Sequence, residues 1–508
     1  MRALKRIGAL VVLAVAIASP QHYLDGIHIA NEASRIYAAQ AIVRHHTLDL
    51  RPIFDDYFPG WRTPPNVDVA MRDGKYLLDK APAITLGAVP IVAVLDGAGV
   101  AYRWQAWLLA LLFSTLPSIG FIVAFRRWGA PWPLAAASVL ATPWLVYAGL
   151  LFGHAACAAL LGIGLLLALG PLSDPAPEDR RSAVLSGLAL GGAVLVEYTA
   201  AVLLVIALIA LALDPTRRSR LRWVVLGGVG PAIVLAIWNT IAFGAPWRLS
   251  YGFKADAALA ATHAHGVYGI GAPSSDALFG LLLSPSRGLF FFAPWLVAGV
   301  VGAALAARSS SIARAWRIML PVGIVAFVLV IAGFPDWNGG RAYGPRYLVP
   351  AIPLFAIATV CLLRLARWRY IVPILSGLIA ASAVLAIAGA YVDVYSSPHI
   401  TNPAFEINIP ILLWTDPAPT FWSTFAPRII GLAVGLVAFM AVFAAVAPRP
   451  RTLLSPVIAI AIAIMYLVIA TRPTTDDRAR VLRERALAHR LLDQPDAAAR
   501  IEQQLRSP

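Results

Sequence analysis

Residues 370–391 read Tyr-Ile-Val-Pro-Ile-Leu-Ser-Gly-Leu-Ile-Ala-Ala-Ser-Ala-Val-Leu-Ala-Ile-Ala-Gly-Ala-Tyr, an apolar run without a charged side chain. As a helix this run rises about 33 Å, enough to cross a hydrocarbon core of about 30 Å. Arg364, Arg367 and Arg369 bracket it on its amino-terminal side. Outward from there, comparable runs recur near 7–24, 104–125, 132–149, 154–170, 183–197, 199–213, 223–241, 288–306, 318–334, 347–363, 428–447 and 454–470. Helices satisfy their own backbone in lipid, so the expected fold is an all-α polytopic membrane protein, a bundle of about thirteen transmembrane helices.

Composition leads to the same class. Of 508 residues, 59% are hydrophobic and 13% charged, against about 45–50% and about 25% in ordinary soluble domains. A water-soluble enzyme is excluded. The formal charge of +15 does not call for nucleic acid, because the basic residues sit in short clusters between spans, where they act as topology signals. With the amino terminus in the cytoplasm, one side receives Arg2/Lys5/Arg6, Arg126/Arg127, Arg180/Arg181, Arg217/Arg218/Arg220/Arg222, Arg308/Arg314/Arg317, Arg364/Arg367/Arg369 and Arg449/Arg451. The turns at 147–154 and 197–199, assigned to the other side, contain no Lys or Arg. The first apolar run continues through Leu24 and reads as an uncleaved span in preference to a signal peptide. Cys157 and Cys361 fall inside apolar runs and are expected to pack as small hydrophobes.

Four segments are too polar to span: 25–103, 242–287, 335–346 and 392–427. All four, with the tail, fall on the external side, which makes that side the expected functional surface. The chain divides into a transmembrane domain, 1–470, with a first periplasmic loop at 25–103, and a periplasmic helical tail, 471–508. Within the loop, residues 32–43 and 83–95 have the length of helices lying along the interface. The tail reads as helices at 476–492 and 496–505 separated by Asp493-Gln494-Pro495, since proline does not continue a helix interior. A bacterial inner membrane location follows, with a cytoplasmic amino terminus and a periplasmic carboxy terminus.

The ionisable residues of that side are the candidates for chemistry. Asn31-Glu32-Ala33-Ser34-Arg35 puts Glu32 and Arg35 one helical turn apart, as a structural ion pair or as a carboxylate and a guanidinium aimed at one ligand. Asp73-Gly74-Lys75-Tyr76 and Asp79-Lys80-Ala81-Pro82 read as a turn, a short extended piece and a helix start. Lys80 suits either a lipid phosphate or a snorkelling anchor. Residues 335–347, Pro-Asp-Trp-Asn-Gly-Gly-Arg-Ala-Tyr-Gly-Pro-Arg-Tyr, place Arg341, Tyr343 and Arg346 on a glycine-rich turn, a connector or a cradle for a phosphate-bearing lipid. His154 and Glu197 sit at span ends, and Arg287 in Ser-Pro-Ser-Arg-Gly-Leu enters a span at the same surface.

These motifs together resemble the GT-C superfamily of membrane glycosyltransferases, in the branch holding the protein O-mannosyltransferases and the lipid A aminoarabinose transferase. The acidic motif after the first span corresponds to Asn31-Glu32, and the Lys-Pro-type motif closing the first loop to Asp79-Lys80-Ala81-Pro82. Similar stretches to 239–251, 284–289 and 337–347 occur in a large bacterial group of that branch. The resemblance implies a GT-C-like bundle and transfer of a sugar from a polyprenyl-phosphate carrier to a glycan, lipid or protein acceptor, with membrane lipids as surroundings. The family's acidic motif is commonly Asp-Glu. Asn31 stands at its first position, so Glu32 becomes the expected base, with Asp25 in reserve.

A lipid phosphate leaves as a stable anion, so one carboxylate and a set of cations suffice, where a glycosidase needs two carboxylates. The expected substrate and phosphate set is Arg35, Asp79, Lys80, Arg287, Arg341, Tyr343 and Arg346, with inversion at the anomeric carbon. No cofactor is expected beyond the lipid-linked sugar, which is substrate. No metal-ligand cluster is visible, and divalent metal is left open. The rival readings are a transporter or flippase for a lipid-linked or polar substrate, a non-catalytic scaffold, and an enzyme moving a whole oligosaccharide.

Overall fold

The computed structural model describes residues 2–19, 30–173, 179–264, 266–366, 371–392, 396–414, 454–472, 474–491 and 494–506. Among these, five helices are long and apolar enough to cross a membrane: Tyr102–Trp128, Arg218–Phe243, Arg314–Ala332, Arg346–Leu365 and Ile371–Tyr391. Shorter apolar helices, including Gly153–Leu169, Ala200–Leu213 and Pro294–Arg308, complete the bundle. The expected span 428–447 lies outside the described residues. The span expected at 132–149 is broken into Trp132–Leu140 and Trp144–Ala148. Pro143 removes a backbone donor there, and Thr142 Oγ1 turns back to Ser138 O at 2.9 Å.

Close helix contacts are made by glycine. A Cβ at Gly187 would strike the Val224 carbonyl, and one at Gly227 the Val184 carbonyl, so Arg180–Val196 and Arg218–Phe243 touch backbone to backbone. In lipid, where burial of apolar side chains adds little, such approach is a principal source of helix association.

Among the described residues, the clusters around Arg126, Arg217 and Arg314 gather at one end through direct contacts. Arg217 Nε donates to Leu169 O at 2.7 Å and Arg220 Nη2 to Leu167 O at 2.7 Å, satisfying carbonyls at the carboxy end of Gly153–Leu169. The indoles of Trp128 and Trp316 both donate to Gly170 O, and Asp214 accepts from the Ala315 N–H.

The first polar loop departs from the expected picture in two ways. The helix Ala30–His45 is buried from Asn31 to Ala41, not laid along a surface. It is enclosed by the helices Arg51–Tyr57 and Ala83–Gly97 and by Trp238 and Phe243, with Tyr37 wedged among Phe54, Tyr57 and Tyr102. The loop also contains a two-stranded hairpin, Val69–Arg72 with Lys75–Leu78, so the fold is not wholly helical. Asp73 and Gly74, at φ 50° and 73°, make its turn, and the right-handed strand twist favours such a pair.

The tail forms a helical hairpin, Arg478–Leu491 and Pro495–Arg506. Pro495 opens the second helix, where its missing N–H costs nothing. Val481 and Ala488 pack on Ile400, Ile407 and Ile411. Cys157 and Cys361 are buried within helices.

Candidate functional site

At the end opposite the basic clusters, a cavity of about 90 Å³ is lined by residues drawn from the first loop, the two short turns, the 242–287 segment and the glycine-rich turn. Its cations are Lys80, Lys254 and Arg346, and its carboxylates Asp68, Glu197 and Asp336. Asn31, His154, His263, Tyr251 and Tyr347 fill much of the remaining wall.

The hairpin builds the lysine side. The second strand ends at Leu78 and delivers Asp79 and Lys80. The first strand bridges Ala70 to Lys254, and Ala255 N donates to Val69 O at 3.0 Å. Lys254 and Lys80 therefore both close on the fully buried Asp79 carboxylate, Lys80 at 3.2 Å, and Ser250 Oγ donates to the Asp79 carbonyl at 2.7 Å. Lys80 also meets Asp68 at 3.1 Å. Burial pushes the Asp79 carboxyl up, but the two ammonium groups outweigh it and hold it at about 2. Burial pulls Lys80 down, and Asp68 and Asp79 reverse that, leaving it raised.

Arg346 differs from the other cations. Its Nη2 donates to Tyr347 Oη at 3.1 Å and its guanidinium lies 4.8 Å from that ring's centroid. Among the described residues no carboxylate lies within ion-pair distance of it, and its Nε is buried without a partner. Gly339, at φ 73°, leaves space against that Nε which a Cβ would take.

A second group lies on the opposite wall. Arg35 donates to Asn31 O at 2.8 Å and to the Asn31 side-chain oxygen, and reaches Glu197 Oε1 at 3.3 Å. The expected ion pair within the motif is thus replaced by one across 162 residues. His154 Nδ1 stands 3.8 Å from the same carboxylate oxygen, and its ring meets Tyr147 and Tyr347 edge to face.

Glu32, the expected base, is buried beside Asn31 and is absent from the cavity wall. Burial raises its carboxyl to about 7, against the pull of the Leu151 N–H and of Arg35. Asp25, the reserve, lies outside the described residues. Of the remaining candidates, Asn31, Lys80, His154, Glu197 and Arg346 converge on the cavity, with Asp79 and Arg35 directly behind it.

Arg287, Arg341 and Tyr343 do not join them. Arg287 is buried and spends its donors on the carbonyls of Ser286, Asn338, Gly340 and Ser396. It thereby holds the glycine-rich turn in shape. Arg341 faces the tail. Tyr343 is buried with its hydroxyl on Leu385 O at 2.6 Å, and its own carbonyl accepts from Tyr147. Lys254, Asp68, Asp336, Tyr251 and His263 were not candidates from sequence. Asp336 and Tyr251 stand within the stretches 335–347 and 239–251 without being singled out there, no local motif marks Lys254, Asp68 or His263, and only the strand-to-segment pairing brings Lys254 to Asp79. Among the described residues no three His, Cys, Asp or Glu side chains converge to hold a metal ion.

No protein-family model matches the chain, and no curated protein matches it. Among solved structures it is similar to ArnT from Cupriavidus metallidurans bound to undecaprenyl phosphate, at 19% identity over 99% of this chain and 79% of that one, with a TM-score of 0.49. It is also similar to the oligosaccharyltransferase of Archaeoglobus fulgidus in its apo form, at 11% identity over 98% of this chain and 59% of that one, with a TM-score of 0.42.

Proposed function

We propose that the chain is a membrane glycosyltransferase that moves a single sugar, hexose or pentose, from a polyprenyl-phosphate carrier to a glycan, lipid or protein acceptor. Its site faces the periplasm of a bacterial inner membrane, with the amino terminus in the cytoplasm and the tail outside. The observation that carries this reading is the Arg346 guanidinium, without a carboxylate partner among the described residues, in the wall of a mixed-charge cavity on an apolar bundle. A half-buried cation without a counter-ion is costly, and an incoming phosphate supplies the missing charge with a forked fit.

In this reading Arg346 and the two lysines hold the carrier phosphate. The acceptor oxygen attacks the anomeric carbon from the face opposite that phosphate, so the configuration inverts. Charge growing on the departing phosphate oxygen is met by cations already in place, and loss of one such donor costs about 10²–10³ in rate. Asp79 keeps Lys80 and Lys254 aimed before the carrier arrives.

The experiment is carrier consumption in detergent by the purified protein, offered a set of polyprenyl-phosphate sugars with candidate acceptors, for the wild type and Arg346→Ala. Turnover by the wild type, with a folded Arg346→Ala about 10²-fold slower, supports the reading. Carrier binding without consumption under any acceptor overturns it in favour of a transporter or flippase.

A further inference from the structure

We infer that Glu197, rather than Glu32, is the group that takes the acceptor's proton, with Arg35 and Gly153 positioning it. This rests on the transferase reading above and adds the acceptor half of the site to it.

Access to the cavity separates the carboxylates. Glu32 is turned to the Leu151 N–H, behind Asn31, and forms no part of the cavity wall. Asp68 is engaged by Lys80 at 3.1 Å, and Asp336 stands on the glycine-rich turn facing the cations Arg346 and Lys254, with no hydrogen bond among the described residues that orients its carboxylate, the Gly340 N–H going to Asn338 Oδ1. Glu197 lines the cavity and is held through one oxygen, Oε1, by Arg35 at 3.3 Å with His154 Nδ1 at 3.8 Å. No side chain or backbone group of the described residues hydrogen-bonds its Oε2, which is not sealed from the cavity. A base oriented through one atom by a fixed third group, with a second atom open to substrate, is the arrangement that proton abstraction needs.

Gly153 adds an independent observation. A Cβ there would collide with Glu197 Oε1 and crowd Arg35 Nη2 at 2.9 Å, so the carboxylate and the guanidinium rest on bare backbone. Gly153 begins the helix Gly153–Leu169 without a positive φ, so no turn geometry demands glycine at that position. The space it leaves is filled by the Glu197 carboxylate.

In the step, the acceptor hydroxyl gives its proton to Glu197 Oε2 as its oxygen bonds to the anomeric carbon. The bond from that carbon to the phosphate oxygen breaks, and its electron pair leaves with the polyprenyl phosphate. The proton then passes from Glu197 to water. The charged and titratable groups facing Glu197 are Arg35, Lys80, Arg346, Asp79, His154, Cys157, Tyr198 and Tyr251.

The test measures kcat against pH and, separately, binding of a polyprenyl-phosphate sugar, for the wild type, Glu197→Gln, Gly153→Ala and Glu32→Gln. Expected are a fall in kcat of about 10²–10⁴-fold in Glu197→Gln, near-wild-type donor binding, and loss of the acid limb of the wild-type profile. Gly153→Ala, with its helix intact, lowers kcat at least tenfold while binding donor, and this variant decides the matter if Glu197→Gln fails to fold. Glu32→Gln keeps the acid limb. Wild-type kcat in Glu197→Gln, or loss of the acid limb in Glu32→Gln, overturns the inference while the transferase reading stands. A wild type that consumes no donor overturns both.

Discussion

Arg341 and Glu484 meet in a forked ion pair, Nη1 to Oε2 at 2.7 Å and Nη2 to Oε1 at 3.0 Å. The pair ties the carboxy-terminal helices to the glycine-rich turn five residues before Arg346. Glu406 adds a second tie, accepting from the N–H and hydroxyl of Thr475 at 2.7 and 2.9 Å. Arg341 is two-fifths exposed, so each single alanine variant is expected to cost only about 0.2–1 kcal/mol. A double-mutant cycle on Arg341→Ala and Glu484→Ala, read by thermal unfolding, checks this. A non-additive term of that size confirms the tie, and strict additivity removes it.

Asp79 is expected to be far less tolerant. Asp79→Asn leaves the Lys80 and Lys254 ammoniums confined together without their shared counter-ion, a loss of about 3–5 kcal/mol. Its carboxyl is depressed from 3.8 to about 2 in the folded protein. The stabilisation is therefore present above pH 3.8 and is lost as pH falls through 2. Unfolding midpoints of wild type and variant should differ by a constant amount from pH 8 to pH 5 and begin to converge only below pH 4.

Glu32 has the opposite sign. Its carboxyl is raised from 4.5 to about 7, so the folded state holds the proton that the unfolded state has lost between those values. Stability then falls as pH rises through that window, by about 3 kcal/mol at about 1.4 kcal/mol per unit. Glu32→Gln keeps an acceptor for the Leu151 N–H without the charge. It should unfold at a higher temperature than wild type at pH 8 and at the same temperature at pH 4. Equal midpoints at both values would contradict this account.

Gly339→Ala should imitate an Arg346 lesion without touching the guanidinium. The position has a φ of 73°, which disfavours a side chain, and a Cβ would press on Arg346 Nε. A loss of about 1–2 kcal/mol in stability is expected from the backbone, together with weaker binding of a polyprenyl-phosphate sugar. Weaker stability with unchanged carrier affinity would separate Arg346 from the phosphate.

Much of this was readable in the chain because membrane topology is written in local composition. The clusters at Arg126, Arg217 and Arg314 mark one end, and the segments 25–103, 242–287 and 335–346 meet at the other. Asp73-Gly74 announced the turn, though not the strand before it, since Val69–Arg72 is too short to show a period. Residue type singles out Arg287 at a span entry and Arg341 on the glycine-rich turn, and type does not reveal that backbone carbonyls and a distant glutamate use them. Glu32 looks like the base from its motif, yet which face of a helix buried from Asn31 to Ala41 meets a cavity depends on packing from every side. Lys254 carried no signal at all, because its partner lies 175 residues away.

The contact of Gly187 and Gly227 has one more implication. Arg180–Val196 leads into Glu197, and Arg218–Phe243 leads toward Lys254, so both halves of the cavity are mounted on one pair of locked rods. Gly187 lies about 15 Å along its helix from Glu197. Mutational scans scored by turnover should therefore show a sensitive band deep in the bundle, remote from any reacting atom. A side chain there changes the gauge between the two rods and with it the spacing of everything they carry.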